Sequence, residues 1–65
     1  MSSLIKIAVD AMGGDNSPLK IIDGIIHHHS TNKEVFYKIF GDEKKILECI
    51  KNKIKKDNFE VVHTL

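Results

Sequence analysis

An apolar strand pattern that runs into a glycine pair and then into a helix start constrains this chain most. Residues 4–9 read Leu-Ile-Lys-Ile-Ala-Val, which is typical of a strand buried on both faces in a parallel sheet. A loop, Asp-Ala-Met-Gly-Gly-Asp-Asn, follows at residues 10–16, and Ser17 with Pro18 is the pattern of an N-cap and a first helical position. In open α/β sheets, ligands bind at the carboxyl ends of strands and anions bind at helix N-termini. This first turn is therefore the leading candidate for a binding site.

The rest of the chain alternates helix and strand patterns. After Pro18 an apolar stripe at helical spacing predicts a helix that fades around residues 29–32; it consists of Ile21, Ile22, Ile25 and Ile26. Residues 34–40 are rich in aromatic and β-branched side chains and predict a second strand. Asp42 is expected to cap a second helix that ends at residues 56–58, with an apolar face of Ile46, Leu47, Ile50 and Ile54. Residues 59–63 predict a third strand.

The predicted order βαβαβ indicates an α/β fold, the start of a doubly wound, mostly parallel sheet. Parallel strands need crossover connections, and these are right-handed. Two crossovers that continue in one direction place both helices on one face, so we expect the other face to be bare and apolar. We therefore interpret residues 1–65 as the amino-terminal part of one larger α/β domain.

Composition excludes several classes of function. A chain of 65 residues buries only about 60% of its unfolded surface. There is no arginine and no tryptophan, and the formal net charge is +1, which argues against nucleic acid binding. Cys49 is the single cysteine, and no secretory or membrane-spanning apolar run is present, so we expect a soluble protein of the reducing cytoplasm.

Four motifs resemble the start of the PlsX-type phosphate acyltransferases of bacterial phospholipid synthesis. They are Lys-Ile-Ala-Val-Asp-Ala-Met-Gly-Gly-Asp at residues 6–15, Pro18, Phe-Gly-Asp-Glu at residues 40–43 and Val-Val-His-Thr at residues 61–64. The resemblance covers essentially all 65 residues in order and spacing. The chain departs from the family at Asn16-Ser17, where His-Ala is frequent, and at residues 27–32, where the family helix is more apolar. Family members are also much longer.

The resemblance implies transfer of a fatty acyl group from acyl carrier protein to inorganic phosphate, which yields acyl phosphate and the free carrier thiol. It further implies a cytoplasmic homodimer that can associate peripherally with the membrane. We expect no cofactor and no metal. The product would pass to a glycerol-3-phosphate acyltransferase. The implied fold is that of the isopropylmalate dehydrogenase group.

The loop after the first strand has chemistry suited to that reaction. Phosphate must attack a thioester carbonyl, so the site needs groups that hold a dianion and donors placed where the oxyanion develops. Gly13 and Gly14 allow close backbone approach and positive φ, and their N–H groups fit either task. We expect Asp10 and Asp15 to hydrogen-bond loop amides or to orient a lysine, and count both, with Asn16, among the phosphate-binding candidates. A tight turn held by capping aspartates, with no ligand contact, explains them equally well.

A second group of candidates lies at the end of the third strand. His63 and Thr64 share the sheet edge of Asp10, since the carboxyl ends of parallel strands lie together. We expect His63 to assist proton transfer or to bind phosphate, and Thr64 to bind phosphate. A partly buried structural histidine is the simpler alternative.

The other reactive side chains predict no site. His27, His28 and His29 are adjacent, so on a helix they point about 100° apart and do not share a metal. They indicate a solvated helix end. Cys49 has no histidine one turn away and indicates an ordinary mid-helix thiol.

Two other classes of function fit the chain. One is a small phosphate- or nucleotide-binding half-domain, and the other is a structural or assembly module without activity. The loop contains neither G-x-G-x-x-G nor G-K-[ST], which argues against nucleotide binding. As part of a larger domain, the 65-residue chain alone is expected to be inactive and to be oligomeric, aggregated or partly unfolded.

Overall fold

Helices and strands alternate along the chain, as the sequence predicts. The computed structural model describes residues 4–64. The elements are β1 (Ile5–Asp10), α1 (Leu19–Thr31), β2 (Val35–Gly41), α2 (Glu43–Ile50) and β3 (Phe59–His63), with a 3-10 turn at Lys56–Asn58 before β3. The strands form one parallel sheet in the order β1-β2-β3. The α/β class and the βαβαβ order are thus confirmed.

The register of the sheet brings the three carboxyl ends together. Asp10 at the end of β1 lies opposite Phe40 of β2, and Gly41 at the end of β2 lies opposite His63 of β3. Each strand therefore ends within about one residue of its neighbour's end. The loops that leave these ends share one edge.

The core lies between the sheet and both helices. Alternate residues of β2 point into it, because side chains of a strand alternate between faces. Its buried members are Ala11, Ile22, Ile25, Val35, Tyr37, Ile39, Ile46, Ile50 and Ile54. Since both helices contribute to this one cluster, they cover the same face of the sheet.

The expectation that β1 is buried on both faces is wrong for the described residues. Ile5 is 63% exposed and Ile7 is 37% exposed, although both point to the helix side of the sheet. The cause is position: β1 pairs only with β2 and forms an edge of the sheet. The buried cluster is centred on β2, and of β1 only Val9 packs against it.

The opposite face of the sheet is uncovered in residues 4–64, but it is not apolar as expected. Phe36, Phe40 and Val62 are half-buried there. Lys38 of the same face is exposed, and its ammonium nitrogen lies 5.8 Å from the centre of the Phe40 ring. Charged side chains therefore alternate with the apolar ones, and long aliphatic stems shield part of the ring surface.

Ser17 is not the N-cap of α1, which corrects the sequence interpretation. Its hydroxyl donates to the carbonyl oxygens of Gly13 and Gly14, and helix geometry begins two residues later at Leu19. The cap position is occupied by Pro18, which has no side-chain acceptor. The hydroxyl thus stabilises the preceding loop, because hydroxyl groups compete for nearby backbone partners outside the helix.

The second helix begins as predicted and ends earlier. Asp42 accepts a hydrogen bond from the Lys45 N–H at 3.1 Å, which confirms the cap. The helix stops at Ile50 because Lys51 takes φ 46° and ψ −123°. Ile54 still reaches the core, but from a turn and not from the helix.

Candidate functional site

An open cleft lies where the three strands end. It has a volume of about 490 Å³ and is lined by Asp10, Met12, Asp42, His63 and Thr64. The structure thus brings together three of the expected site residues, since Asp10, His63 and Thr64 all face one space. The sequence interpretation missed Asp42 and Met12 as cleft residues. The position of β2 between β1 and β3 brings in Asp42, which follows the end of β2, and Met12 joins through its packing on Gly41.

Asp10 organises the first turn of the loop. Its Oδ1 accepts a hydrogen bond from the Met12 N–H at 2.9 Å. The next residue, Ala11, donates its N–H to the Phe40 carbonyl at 2.9 Å and is fully buried. The expectation that Asp10 bonds a loop amide is thereby confirmed, and one carboxylate oxygen is used for structure.

His63 is held by the start of α2. Its Nδ1 accepts a hydrogen bond from the Glu43 N–H at 3.1 Å. The next residue, Thr64, donates its N–H to the Gly41 carbonyl at 2.8 Å. The end of β3 is therefore bound at two points to the segment that joins β2 to α2.

The Gly41 backbone packs closely against Met12, a residue that lines the cleft. Its φ is 154°, and a Cβ there would lie 2.6 Å from the Met12 Cγ and 2.9 Å from the Ile46 Cδ1. The positive φ favours glycine here, and a side chain would also force the Met12 and Ile46 side chains to shift. Met12 thus packs on the backbone where β2 ends.

The glycine pair and its neighbours lie outside the cleft lining. Gly13, Gly14, Asp15 and Asn16 are exposed, and none of the four lines the cleft. Positive φ occurs at Gly14 (83°) and Asn16 (61°) but not at Gly13. Within residues 4–64 the Asp15 carboxylate accepts no hydrogen bond, so it does not bond a loop amide there, and its expected alternative role of orienting a lysine stays a prediction. The Ser17 hydroxyl bridges the loop instead.

The same loop leaves consecutive backbone donors unused. No acceptor among residues 4–64 pairs with the N–H groups of Gly14, Asp15 or Asn16, whereas the Gly13 N–H closes the turn at residues 11–12. Alternation of residues with negative and positive φ turns successive N–H groups toward one side, and such concave arrangements bind anions. The backbone, and not the aspartate side chains, is the part of this loop with anion-binding chemistry.

A second open groove lies on the helix layer, away from the strand ends. It has a volume of about 350 Å³ and is lined by Pro18, Leu19, Asp23, Lys45, Glu48, Cys49, Lys51 and Lys53. Its charged side chains have both signs. Cys49 is half-buried there and packs against the core, as expected of an ordinary helix thiol.

The histidine triplet is the expected solvated helix end only in part, since His28 is exposed but His29 is not. His27 is exposed, but His29 is only 3% exposed. His29 Nε2 accepts a hydrogen bond from the Lys55 N–H at 3.3 Å, and His28 Nδ1 shares one of 2.5 Å with the Tyr37 hydroxyl. The missed signal is spacing, because His29 continues the buried helical stripe of Ile22 and Ile25.

Burial controls the ionisation of this cluster. Loss of solvent, reinforced by the charges of Lys33 and Lys55, holds the pKa of His29 below its ordinary value. Burial also raises the pKa of the Tyr37 hydroxyl. The cluster lies where α1 ends and β2 begins. This is at the amino ends of the strands, whereas the cleft lies at their carboxyl ends, so we assign the cluster a structural role.

Comparison with known proteins places the chain in a family. The sequence model described as "Fatty acid synthesis protein" matches residues 5–65. The chain belongs to this family. It is 61% identical over 64 residues to a phosphate acyltransferase of Pelagibacter ubique, which covers 98% of this chain and 19% of that protein. Phosphate acyltransferases of Lactobacillus gasseri and Lacticaseibacillus casei are 44% and 40% identical over 91% and 92% of this chain.

The family match extends over all the described elements and the cleft. The chain spans about a fifth of the length of these curated relatives, as 17% to 19% of each is aligned. No helix within residues 4–64 has both the length and the apolar character needed to cross a membrane.

Proposed function

We propose that the complete protein carrying this chain transfers a fatty acyl group from acyl carrier protein to inorganic phosphate, as a step of phospholipid synthesis. The observation that supports this most is the family match over residues 5–65, together with relatives named phosphate acyltransferase. The cleft at the strand ends and the unused N–H groups of the neighbouring loop are consistent with an oxygen-rich, anionic substrate.

The proposed reaction divides the work between loop and cleft. An oxygen of hydrogen phosphate attacks the thioester carbonyl and forms the new C–O bond, the C–S bond breaks with its electron pair going to sulfur, and the carrier thiolate leaves as the thiol with the proton that hydrogen phosphate gives up. The loop N–H groups of Gly14, Asp15 and Asn16, next to Gly13, would hold the phosphate, because backbone donors stabilise an anion without adding a charge. Thr64 and His63 would contact the substrate from the cleft.

The carboxylates set a limit on where phosphate binds. Asp10 and Asp42 both line the cleft, and like charges repel. Each has one oxygen bound to a backbone N–H, of Met12 and Lys45 respectively. We therefore propose that Asp10 shapes the loop and that phosphate lies on the loop side.

The proposed cellular location, oligomeric state and partner of the complete protein follow from the family resemblance. We propose a cytoplasmic homodimer, associated peripherally with the membrane, which passes acyl phosphate to a glycerol-3-phosphate acyltransferase. No cofactor enters the proposed reaction.

Gly13→Ala in the complete protein tests the loop. Gly13 has no positive φ, and a Cβ there meets no atom within 4 Å, so the fold tolerates the change. A methyl group would obstruct phosphate at the backbone, and we expect acyl-phosphate formation to fall about 100-fold, the typical effect of losing one oxyanion donor. The assay measures thiol release from acyl carrier protein with and without inorganic phosphate.

Cys49→Ala is the matched control, because this side chain lies in the helix-layer groove, away from the cleft. We expect its rate to be nearly unchanged. Thiol release that does not depend on phosphate would contradict the proposed reaction. A normal rate in Gly13→Ala would contradict the role of the loop.

A further inference from the structure

The first turn of α2 has two caps from different elements. Helix N-termini leave N–H groups without intrahelical partners. Asp42 binds the Lys45 N–H at 3.1 Å, which is the usual local cap. The Glu43 N–H is bound at 3.1 Å by the imidazole Nδ1 of His63, a residue of the neighbouring strand.

The orientation of the His63 imidazole is set by two hydrogen bonds from backbone N–H groups between the end of β3 and the segment that joins β2 to α2. His63 lies opposite Gly41 in the register, and the Thr64 N–H binds the Gly41 carbonyl at 2.8 Å. Only Asp42 separates Gly41 from Glu43, so the donor and the ring belong to two segments bound directly to one another. The imidazole therefore has a defined orientation without any further side-chain contact.

This contact determines which ring nitrogen holds the proton. A nitrogen that accepts an N–H must present its lone pair, and a neutral imidazole then holds its single proton on the other nitrogen. In His63 the acceptor is Nδ1, so the proton is on Nε2. No group among residues 4–64 binds Nε2, and the side chain lines the cleft.

We propose that His63 acts in the cleft as an Nε2–H hydrogen-bond donor to a substrate oxygen, with the Glu43 N–H as its positioning group. The inference rests on the proposed acyl transfer and narrows it: the nitrogen facing the substrate already holds a proton, so His63 does not take one from phosphate. The oxygen belongs to phosphate or to the thioester carbonyl, since either presents the same lone pair.

Glu43→Pro removes the positioning N–H together with the Glu43 side chain. Proline lacks that group and is favoured at the first position of a helix. Asp42 has φ −71° and ψ 105°, which is the extended conformation that a residue before proline adopts. Glu43→Ala is the matched control, because it removes the side chain and keeps the N–H.

The first measurement is the imidazole tautomer in the complete protein labelled with ¹⁵N-histidine, with the His63 signals assigned by their loss in His63→Gln. We expect Nε2 protonated and Nδ1 bare in the wild type and in Glu43→Ala, and averaging between tautomers in Glu43→Pro. A protonated Nδ1 in the wild type would overturn the inference. This measurement needs no turnover, so it decides the point even if the acyl-transfer assay fails.

Two probes identify the acceptor oxygen. Inorganic phosphate or an acyl-pantetheine thioester is added to the labelled protein, and the Nε2–H signal is followed. A shift with phosphate assigns the phosphate oxygen, and a shift with the thioester assigns the carbonyl. No shift with either would contradict the donor role.

Kinetics separate a donor from a base. In His63→Gln an amide N–H₂ reaches the position of Nε2, so we expect a rate within about tenfold of wild type and the same pH profile, whereas His63→Ala loses about 100-fold. We expect the rate of Glu43→Pro to fall about fivefold, which corresponds to the free energy of one ordinary hydrogen bond. If His63→Gln is as slow as His63→Ala, His63 is not a donor.

Discussion

At the scale of single residues, the packing around Gly41 and the burial of His29 constrain most strongly which side chain can occupy each position. Gly41 combines a positive φ with contact distances that leave no space for a Cβ. His29 is a buried base that accepts one hydrogen bond through Nε2, while its Nδ1 has no partner among the described residues. Both residues couple helix to sheet, and each leads to a prediction about stability.

Gly41→Ala should lower the free energy of unfolding by about 1–3 kcal/mol, the usual cost of forcing extra volume into a packed site. The methyl group would meet Met12 and Ile46 in a backbone conformation that alanine avoids. Gly24→Ala is the control, because it lies within α1 with open space around its Cβ. It should raise stability by about 0.5–1 kcal/mol. Urea unfolding of both variants measures the difference, and equal stability would contradict the contact at Gly41.

Stability should fall as the pH is lowered below about 6.5, the ordinary pKa of histidine. The pKa of folded His29 is lower than that of the unfolded residue, so between the two values the unfolded state binds more protons. The stabilisation is complete above this window and decreases through it as the pH falls.

His29→Gln should flatten that pH dependence. His27→Gln is the control, because His27 is the exposed neighbour on the same helix and should leave the slope unchanged. Melting temperatures between pH 7 and pH 5 give the comparison. Identical slopes for wild type and His29→Gln would contradict the assignment.

At the scale of elements, the sequence predicted where strands lie better than where helices begin and end. β3 has the predicted range, and β1 and β2 are each displaced by one residue. The cap at Asp42 was predictable because its donor, the Lys45 N–H, is only three residues away. Ser17 was not, because its hydroxyl had equally local carbonyl partners in Gly13 and Gly14. The early end of α2 depends on a tertiary demand: the chain must return so that Phe59 can pair with Tyr37.

The return from α2 to β3 depends on Asn58. Its Nδ2 donates to the carbonyls of Lys33 and Val35, at 3.0 and 2.9 Å, and the side chain is buried. Asn58→Asp keeps the shape and removes both donors, so we expect a loss of about 1–3 kcal/mol or more. Asn52→Asp introduces the same charge at an exposed position and should change little. Similar stability of the two variants would show that Asn58 does not anchor the turn.

At the scale of the whole chain, topology and the shared strand-end edge followed from the sequence, whereas exposure did not. The pattern of residues 4–9 is apolar, but burial depends on how many strands lie beside β1. The lining of the cleft was predictable only in part. Asp10, His63 and Thr64 were predictable because they lie at strand ends, whereas Met12 lines the cleft because it packs on Gly41. The isopropylmalate dehydrogenase likeness, and residues 1–65 as part of a larger domain, stay predictions.

The 65-residue chain by itself should form no acyl phosphate and should self-associate. Ile5 is 63% exposed and Leu19 is 54% exposed, and the outer edge of β1 has no partner among residues 4–64. Sedimentation and amide exchange test this. Replacing Ile5 and Ile7 with lysine should reduce the association, because charges on an edge strand oppose edge pairing. A monodisperse wild-type monomer with protected strand amides would contradict the prediction, as would measurable turnover.

The strand order β1-β2-β3 has a consequence for how the sheet is made. Each strand lies beside the one that precedes it in the chain, so no strand has to be inserted between two others. The entropy lost in closing each connection is small, because every pairing spans only one helix and its turns. During synthesis, which proceeds from the amino end, each new strand leaves the ribosome after its template is complete. For these three strands, translation and sheet assembly can therefore run in the same direction, and the hydrogen bond from Glu43 to His63 joins α2 to the strand of the three that is synthesised last.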